Sequence, residues 1–374
     1  MKVVIATDSF KGTLTAYEAC EIIAKAISES TPEVQLVIKP MADGGEGTAR
    51  AMIKAANGRW VTQTVMGPLP DMQVEAGFAW FDDDKTALVE MASASGLELL
   101  SPEQMNPLNT TTYGTGQLIK AAMEYGARKI LLAVGGSATV DGGLGAAMAL
   151  GWKFLDHQDN PVLLGGVGLE KIKKIVKPEN LILVPVEVLC DVDNPLCGEN
   201  GAAKVYAPQK GATSEMVEQL EKGLAHLAEL VRKQLNRDIA NIPGAGAAGG
   251  LAAGAIAFMN AALVSGIETV MARSNLRAEL ESADWVVTGE GSFDRQSLYG
   301  KVVSGILKMA SQSRTHLAVL AGQVNIPQQE YQKIGITAAI SCRYENMSLD
   351  YALKNSRALL YLAAKRFAKQ YLSQ

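Results

Sequence analysis

The pattern of apolar and polar positions changes character twice along the chain. Residues 3–7 form a continuous, largely β-branched apolar run, the mark of a strand buried on both faces. A polar turn, DSFKGT (8–13), follows, and Thr15 then stands before a helical pattern over residues 16–28. Glu18, three positions on, is its partner in a capping box. A second apolar run, residues 34–40, ends in the glycine-rich stretch MADGGEGT (41–48), and a helical pattern resumes over 48–56. Residues 1–57 therefore predict βαβα, the opening of a parallel sheet with covering helices. From Arg59 the pattern alternates instead. Residues 59–65 and 74–81 flank a GPLPD turn, and 87–91 is a third candidate strand, which predicts an antiparallel sheet and a different domain. Near Asp284 the first style returns, with strands predicted at 285–287, 316–320 and 335–341 and helices at 301–311 and 349–371.

The expected fold is α/β in two domains. A parallel-sheet, Rossmann/flavodoxin-like domain is built from both chain ends, residues 1–62 and 283–374, and a mixed α/β domain, residues 63–282, is inserted between them. The insert carries a Thr-rich loop (106–116), a helix (117–125) and a buried strand (129–134). A long glycine turn (135–151), a strand (181–189) and an amphipathic helix, Ser214–Leu235, follow.

Composition narrows the partners. The 374 residues are 48% hydrophobic and 20% charged with a net charge of −4 and no basic run, which argues against nucleic acid or an anionic membrane as main partner. Cys20, Cys190, Cys197 and Cys342 show no CxxC spacing, and the three histidines form no HxxxH pair. Free thiols in a reducing compartment are expected, and a histidine-ligated metal is not. The N-terminus lacks a signal-peptide pattern, and the apolar stretch 245–264 reads as a buried helix, so a cytoplasmic location is expected. No heptad pattern marks an oligomeric interface.

Chemistry concentrates where predicted strands end, because ligands of parallel α/β sheets bind beyond carboxyl ends. Asp8, Ser9 and Lys11, then Asp43, Gly44, Gly45 and Glu46, and finally Gly289, Glu290, Gly291 and Asp294 fall at such ends. Glycines there let the backbone approach a ligand, and the amides that open the helix after residue 47 are placed to face an anion. Acids beside an anion site suit a bridging cation or a shared proton. The alternative for each is local: an acidic helix start, a turn acceptor at Asp8, a solvated turn lysine at Lys11. Gly135, Gly136, Ser137 and Thr139 form either a phosphate cradle or a structural corner. Asp191 and Asn194 follow a buried strand, as a general base and its neighbour or as an Asx-turn before Pro195. Phosphoryl transfer fits this inventory. A GxGxxG match at 244–249 lacks a preceding strand, and no GxxxxGK[ST], HRD, DFG or GxSxG occurs.

Taken together these stretches resemble the bacterial glycerate kinase family. DSFKG (8–12), ADGGEGT (42–48), EMASASGLELL (90–100), NTTTYGTG (109–116), GGSATVDGGLG (135–145), CDVDNPLCGENGA (190–202), PQKGA (208–212) and TGEGSFDRQS (288–297) carry the likeness, in order, over nearly the whole chain. The resemblance implies ATP-dependent phosphorylation of D-glycerate with Mg²⁺, at the 2-hydroxyl to give 2-phosphoglycerate, with the 3-hydroxyl as the alternative, in a cleft between two domains. On that reading Asp191, Lys11 and Asp8 are catalytic. Ser9, Gly44, Gly45, Glu46, Gly135, Gly136, Ser137, Thr139, Asn194, Gly289 and Gly291 bind substrate or phosphate, and Asp43, Glu290 and Asp294 hold metal. Two departures stand out: the family often has Pro where Thr7 stands, and Arg-Ile where Ser292-Phe293 stand. A silent small-acid or nucleotide sensor on the same fold is the alternative, and a dehydrogenase would need a dinucleotide fingerprint that DSFKGT does not supply.

Overall fold

The computed structural model describes residues 1–45, 47–298 and 301–373. Glu46 lies outside the described residues. In chain order the strands are β1 (Lys2–Ile5), β2 (Gln35–Ile38), β3 (Arg59–Met66), β4 (Gln73–Phe81), β5 (Thr86–Glu90), β6 (Lys129–Ala133), β7 (Lys153–Leu155), β8 (Lys174–Val176), β9 (Val186–Leu189), β10 (Ala262–Val264), β11 (Trp285–Phe293), β12 (His316–Val324) and β13 (Ile336–Ser341). Two compact units form: Met1–Asp43 with Arg50–Gly58 and Gly266–Gln374, and Gly44–Ala49 with Arg59–Ser265.

The first unit is a wholly parallel five-stranded sheet of order β13-β12-β11-β1-β2. Helix Ala16–Ser30 starts as the sequence predicts: Glu18 N donates to Thr15 Oγ1 (3.2 Å) and Thr15 N to Glu18 Oε2 (3.0 Å). Its apolar face, Ala19, Cys20, Ile23 and Ile27, is packed into one core with Val3 and Ile5 of the sheet and Phe367 of the last long helix, Ser356–Phe367. Residues 266–282, expected in the insert, belong to this unit, where Lys2 Nζ donates to Glu279 Oε2 (2.8 Å) and Ser282 Oγ (2.7 Å).

The sheet corrects one expectation. TGEGSF (288–293) and AGQV (321–324) are not turns after short strands but the second halves of β11 and β12, which stay in register to Phe293↔Val324. Glycine is dictated there by close approach. A Cβ at Gly289 would lie 2.1 Å from Leu320 O, and one at Gly322 2.4 Å from Gly291 O.

The second unit holds a six-stranded sheet of order β10-β9-β6-β5-β4-β3. The β3–β4 and β4–β5 pairs are antiparallel, as the alternating pattern predicts, whereas β5, β6, β9 and β10 run parallel. Helix Ser214–Leu235, capped by Thr213, buries Leu220, Leu224, Leu227 and Val231. In the stretch opening helix Ala247–Met259, Ala248, Gly249 and Gly250 are left-handed, and a Cβ at Gly249 would sit 1.9 Å from Thr139 O. That glycine run therefore serves contact with the loop after β6. Among the described residues no helix is long and apolar enough to cross a membrane.

Candidate active site

Three strand ends of the first unit gather acids. Beyond Ile5 the chain continues along β11, with Ala6 N donating to Val287 O (2.8 Å) and Asp8 N to Gly289 O (2.9 Å). On its other side Lys39 N donates to Ile5 O (2.8 Å) and Met41 N to Thr7 O (2.9 Å), which leads the chain past β2 to Asp43. Residues 10–14 close a tight turn, with Gly12 at φ +74° and Lys11 exposed.

Asp8 is half-buried and accepts from Ser9 N (2.6 Å). Its carboxyl is pushed up to about 7, chiefly by burial and then by the Asp43 charge, with Glu290 adding; the Ser9 amide and Lys11 pull the other way. Glu290 is raised as well, by burial first and by Asp294, against the Ser297 hydroxyl, Lys301 and Lys11. Glu290 Oε1 and Thr288 Oγ1 are buried with no hydrogen-bond partner among the described residues. An unpaired buried acceptor costs about 1–3 kcal/mol, which a proton or cation relieves.

Asp294 is placed differently from the other acids. Its Oδ1 accepts Gln296 N (2.8 Å), so it caps the short turn Arg295–Leu298, and Arg295 pairs with Glu330 (3.1 Å). Among the described residues no three His, Cys, Asp or Glu side chains converge to hold a metal by themselves. Gly291 differs from Gly289. The nearest atom to a Cβ there would be Lys11 N at 3.8 Å, an ordinary contact, so packing does not require glycine.

In the second unit the loop after β6 is pinned from below. Asp141 is fully buried and accepts Thr112 N (2.8 Å), Thr112 Oγ1 (2.9 Å), Gly143 N (3.0 Å) and Gly145 N (3.2 Å). Burial pushes its carboxyl up against the pull of those bonds. Lys210, only 2% exposed, donates from Nζ to Ser137 Oγ and to Thr139 O, both at 2.7 Å. Burial pushes its amine down to about 7, with Asp141 pulling it up. Thr139 is fully enclosed and its Oγ1 has no partner among the described residues, while Gly135 and Gly136 remain at the open end of the loop.

The MADGGEGT turn is less open than its sequence suggests. Gly44, at φ +81°, lies against Leu189, and Gly45 O accepts Thr48 Oγ1 (2.6 Å). The amide of Ala49, expected to face an anion, instead donates to Glu90 Oε1 (2.6 Å), a carboxylate that is itself buried. After β9, Asp191 Oδ1 accepts from Ser265 Oγ (2.7 Å). Asn194 bonds within its own loop, from Nδ2 to Asn200 O (2.9 Å) and from Tyr206 Oη to Oδ1 (2.7 Å). Sequence reasoning passed over Glu90 and the Lys210–Ser137 pair. Their only signals were their places in EMASASG and PQKGA.

The pattern of the glycerate kinase family matches residues 3–372. A glycerate kinase of Halalkalibacterium halodurans is 44% identical over 370 residues, covering 98% of this chain and 97% of that protein. The glycerate 2-kinase of Escherichia coli K12 is 41% identical, covering 98% and 97%. A crystal structure described as glycerate kinase 2 of Salmonella typhimurium LT2 superposes with a TM-score of 0.87 at 40% identity, covering 100% of this chain and 98% of that one. A pattern spanning almost every residue, on the same two-unit α/β frame, establishes that the chain belongs to the glycerate kinase family.

Proposed function

We propose that this protein transfers the γ-phosphoryl group of ATP to the 2-hydroxyl of D-glycerate, forming 2-phosphoglycerate and ADP. The observation that carries the reading is the end-to-end likeness to a protein named glycerate 2-kinase, at 41% identity. The acid cluster at the ends of β1, β2 and β11 supports it. In the reaction the hydroxyl oxygen attacks the γ-phosphorus and the bond to the β–γ bridging oxygen breaks. The hydroxyl proton passes to a carboxylate.

Asp8 is the favoured acceptor. A general base works best with a pKa near the working pH, and burial beside Asp43 lifts Asp8 to about 7. Asp191, oriented by Ser265, is the second candidate. Lys11 would offset developing charge and Ser9 would donate to a phosphate oxygen; within the second unit, the open Gly135 and Gly136 and the buried Ser137 beside them offer donors of the same kind. Asn194 and Thr139, whose groups are engaged or enclosed, would shape their loops.

The donor set fits Mg²⁺, a hard cation that takes one or two carboxylates and completes its shell with water and phosphate oxygens. Glu290 Oε1, buried and without a hydrogen-bond partner among the described residues, is the observation behind that fit. Asp43 and Glu290 would hold the ion and Asp294 would stand behind Glu290; when bound it supplies charge neutralisation at the phosphates. The test is ³¹P and ¹H NMR of the product from D-glycerate, ATP and Mg²⁺. The 2-phosphate is expected. The 3-phosphate would overturn the regiochemistry, and no glycerate-dependent ADP would overturn the kinase reading.

A further inference from the structure

The loop after β6 contains a buried lysine to which the reaction above gives no role. Lys210 sits at the end of the short turn Pro208–Lys210, seventy-three positions away from Ser137, and is almost fully buried. Both hydrogen bonds assigned to its amine are donated, one to the Ser137 hydroxyl oxygen and one to the Thr139 carbonyl. A carbonyl can only accept, so Thr139 O fixes one N–H. The second N–H then occupies a lone pair of Ser137 Oγ, and the serine's own proton must point elsewhere.

The surroundings decide where. Residues on the inner side of the loop are closed off: Thr139 is fully buried, Gly249 abuts its carbonyl, and Asp141 is saturated by Thr112, Gly143 and Gly145. The outer side begins at Gly136, exposed and at φ +71°, next to Ser137. Gly136 O accepts Leu97 N (2.8 Å), and Ser137 makes an isolated bridge with Gly96. The backbone around the serine is thus fixed on both sides. A proton-accepting role for the amine, as in a serine–lysine nucleophile, would require breaking one of its two donated bonds.

We propose that Lys210 is a positioning residue: by donating to Ser137 Oγ it turns the serine O–H toward the open Gly135–Gly136 edge, where it donates to a phosphoryl oxygen of the bound nucleotide. The inference rests on the kinase reading for its ligand, though not for its geometry. It makes Ser137 the contact and Lys210 the group that acts through it.

The test is calorimetric titration of ATP into the intact protein and into Ser137→Ala, Lys210→Met and the double variant, with KM and kcat measured alongside. Ser137→Ala is expected to weaken ATP binding about tenfold while still unfolding in one cooperative transition, at a somewhat lower temperature because the buried Lys210 amine loses an acceptor. Lys210→Met is expected to match it, and the double variant to lose no more than the worse single change, because the two residues act on one contact. KM for ATP should rise in step while KM for glycerate stays put. Unchanged ATP affinity in Ser137→Ala overturns the proposal, as does a double variant whose losses multiply. Should Lys210→Met fail to fold, Lys210→Gln takes its place in the same cycle. If the parent protein turns over no glycerate yet the serine and lysine variants weaken ATP binding alike and without adding, the positioning role stands and the kinase reading falls.

Discussion

Asp141→Asn exchanges a single heavy atom, and it tests whether the second unit's glycine loop is held by one buried carboxylate. Oδ1 accepts Gly143 N, and Oδ2 accepts Thr112 N, Gly145 N and the Thr112 hydroxyl. An asparagine must present an NH₂ group at one of those positions. Its best orientation puts nitrogen where Oδ1 stood, which removes one bond and sets two donors face to face. A lost charge-assisted bond costs about 1.5–3 kcal/mol, and the stranded Gly143 amide puts the loss at about 2 or above. The retained bonds also weaken as the acceptor loses its charge, so we expect about 2–4 kcal/mol. At about 2–4 °C per kcal/mol for a domain of this size, scanning calorimetry should record a fall of roughly 5–15 °C. Asp141→Ala, which strands three backbone donors, should fall further or fail to accumulate. An Asn variant melting within a degree of the parent would refute the reasoning. It would mean that Thr112, Gly143 and Gly145 find other acceptors.

Three further outcomes follow from the same contacts. Lys210, at about 7 in the fold against 10.5 ordinarily, binds its proton less readily than in the unfolded chain. Between about pH 7 and 10.5 the unfolded state therefore holds more protons and stability rises with pH, by at most ~5 kcal/mol at ~1.4 kcal/mol per pH unit. Denaturant titrations at pH 7 and 10 should show that rise in the parent and a flatter slope in Lys210→Met. Gly289→Ala should destabilise the first unit by more than about 3 kcal/mol, since its Cβ would press on Leu320 O at 2.1 Å, whereas Gly291→Ala, with 3.8 Å to its nearest neighbour, should melt like the parent. Asp8→Asn should lower kcat by about a hundredfold or more, and the parent's kcat/KM should fall on the acid side as Asp8, raised by burial, takes up its proton; a flat acid limb would remove Asp8 as the base.

What was legible in the sequence and what was not divides along sequence distance. The capping box at Thr15 and Glu18 lies within one turn of chain, and it formed as written. The alternation of residues 59–81 is local too, and it gave the antiparallel β3–β4 pair. The strand ends bearing Asp8 and Asp43 followed from apolar runs that a parallel sheet must bury. The glycines of TGEG misled because two physical reasons for glycine look alike in one dimension. A turn needs glycine for its φ, whereas β11 needs it at position 289 because a neighbouring carbonyl occupies the space of a Cβ.

The buried polar groups were illegible for a stronger reason. Asp141 looked like one more acid in a phosphate loop, and only Thr112, 29 positions upstream, makes it a structural acceptor. Glu90 was invisible until the Ala49 amide, 41 positions away, was found on its carboxylate. Lys210 stands in PQKG with nothing nearby in sequence to show that it is buried; a lysine is buried only where its donors are matched, and its matches lie 73 and 71 positions away. A charged residue's type states what it can bond, and the fold alone decides whether it bonds to ligand or to protein. In this chain the distinction is sharpest between Asp8, raised by burial and then by the acids beside it, and Asp141, saturated by donors it attracts. The first is therefore available to take a proton at neutral pH, and the second is committed to holding the loop.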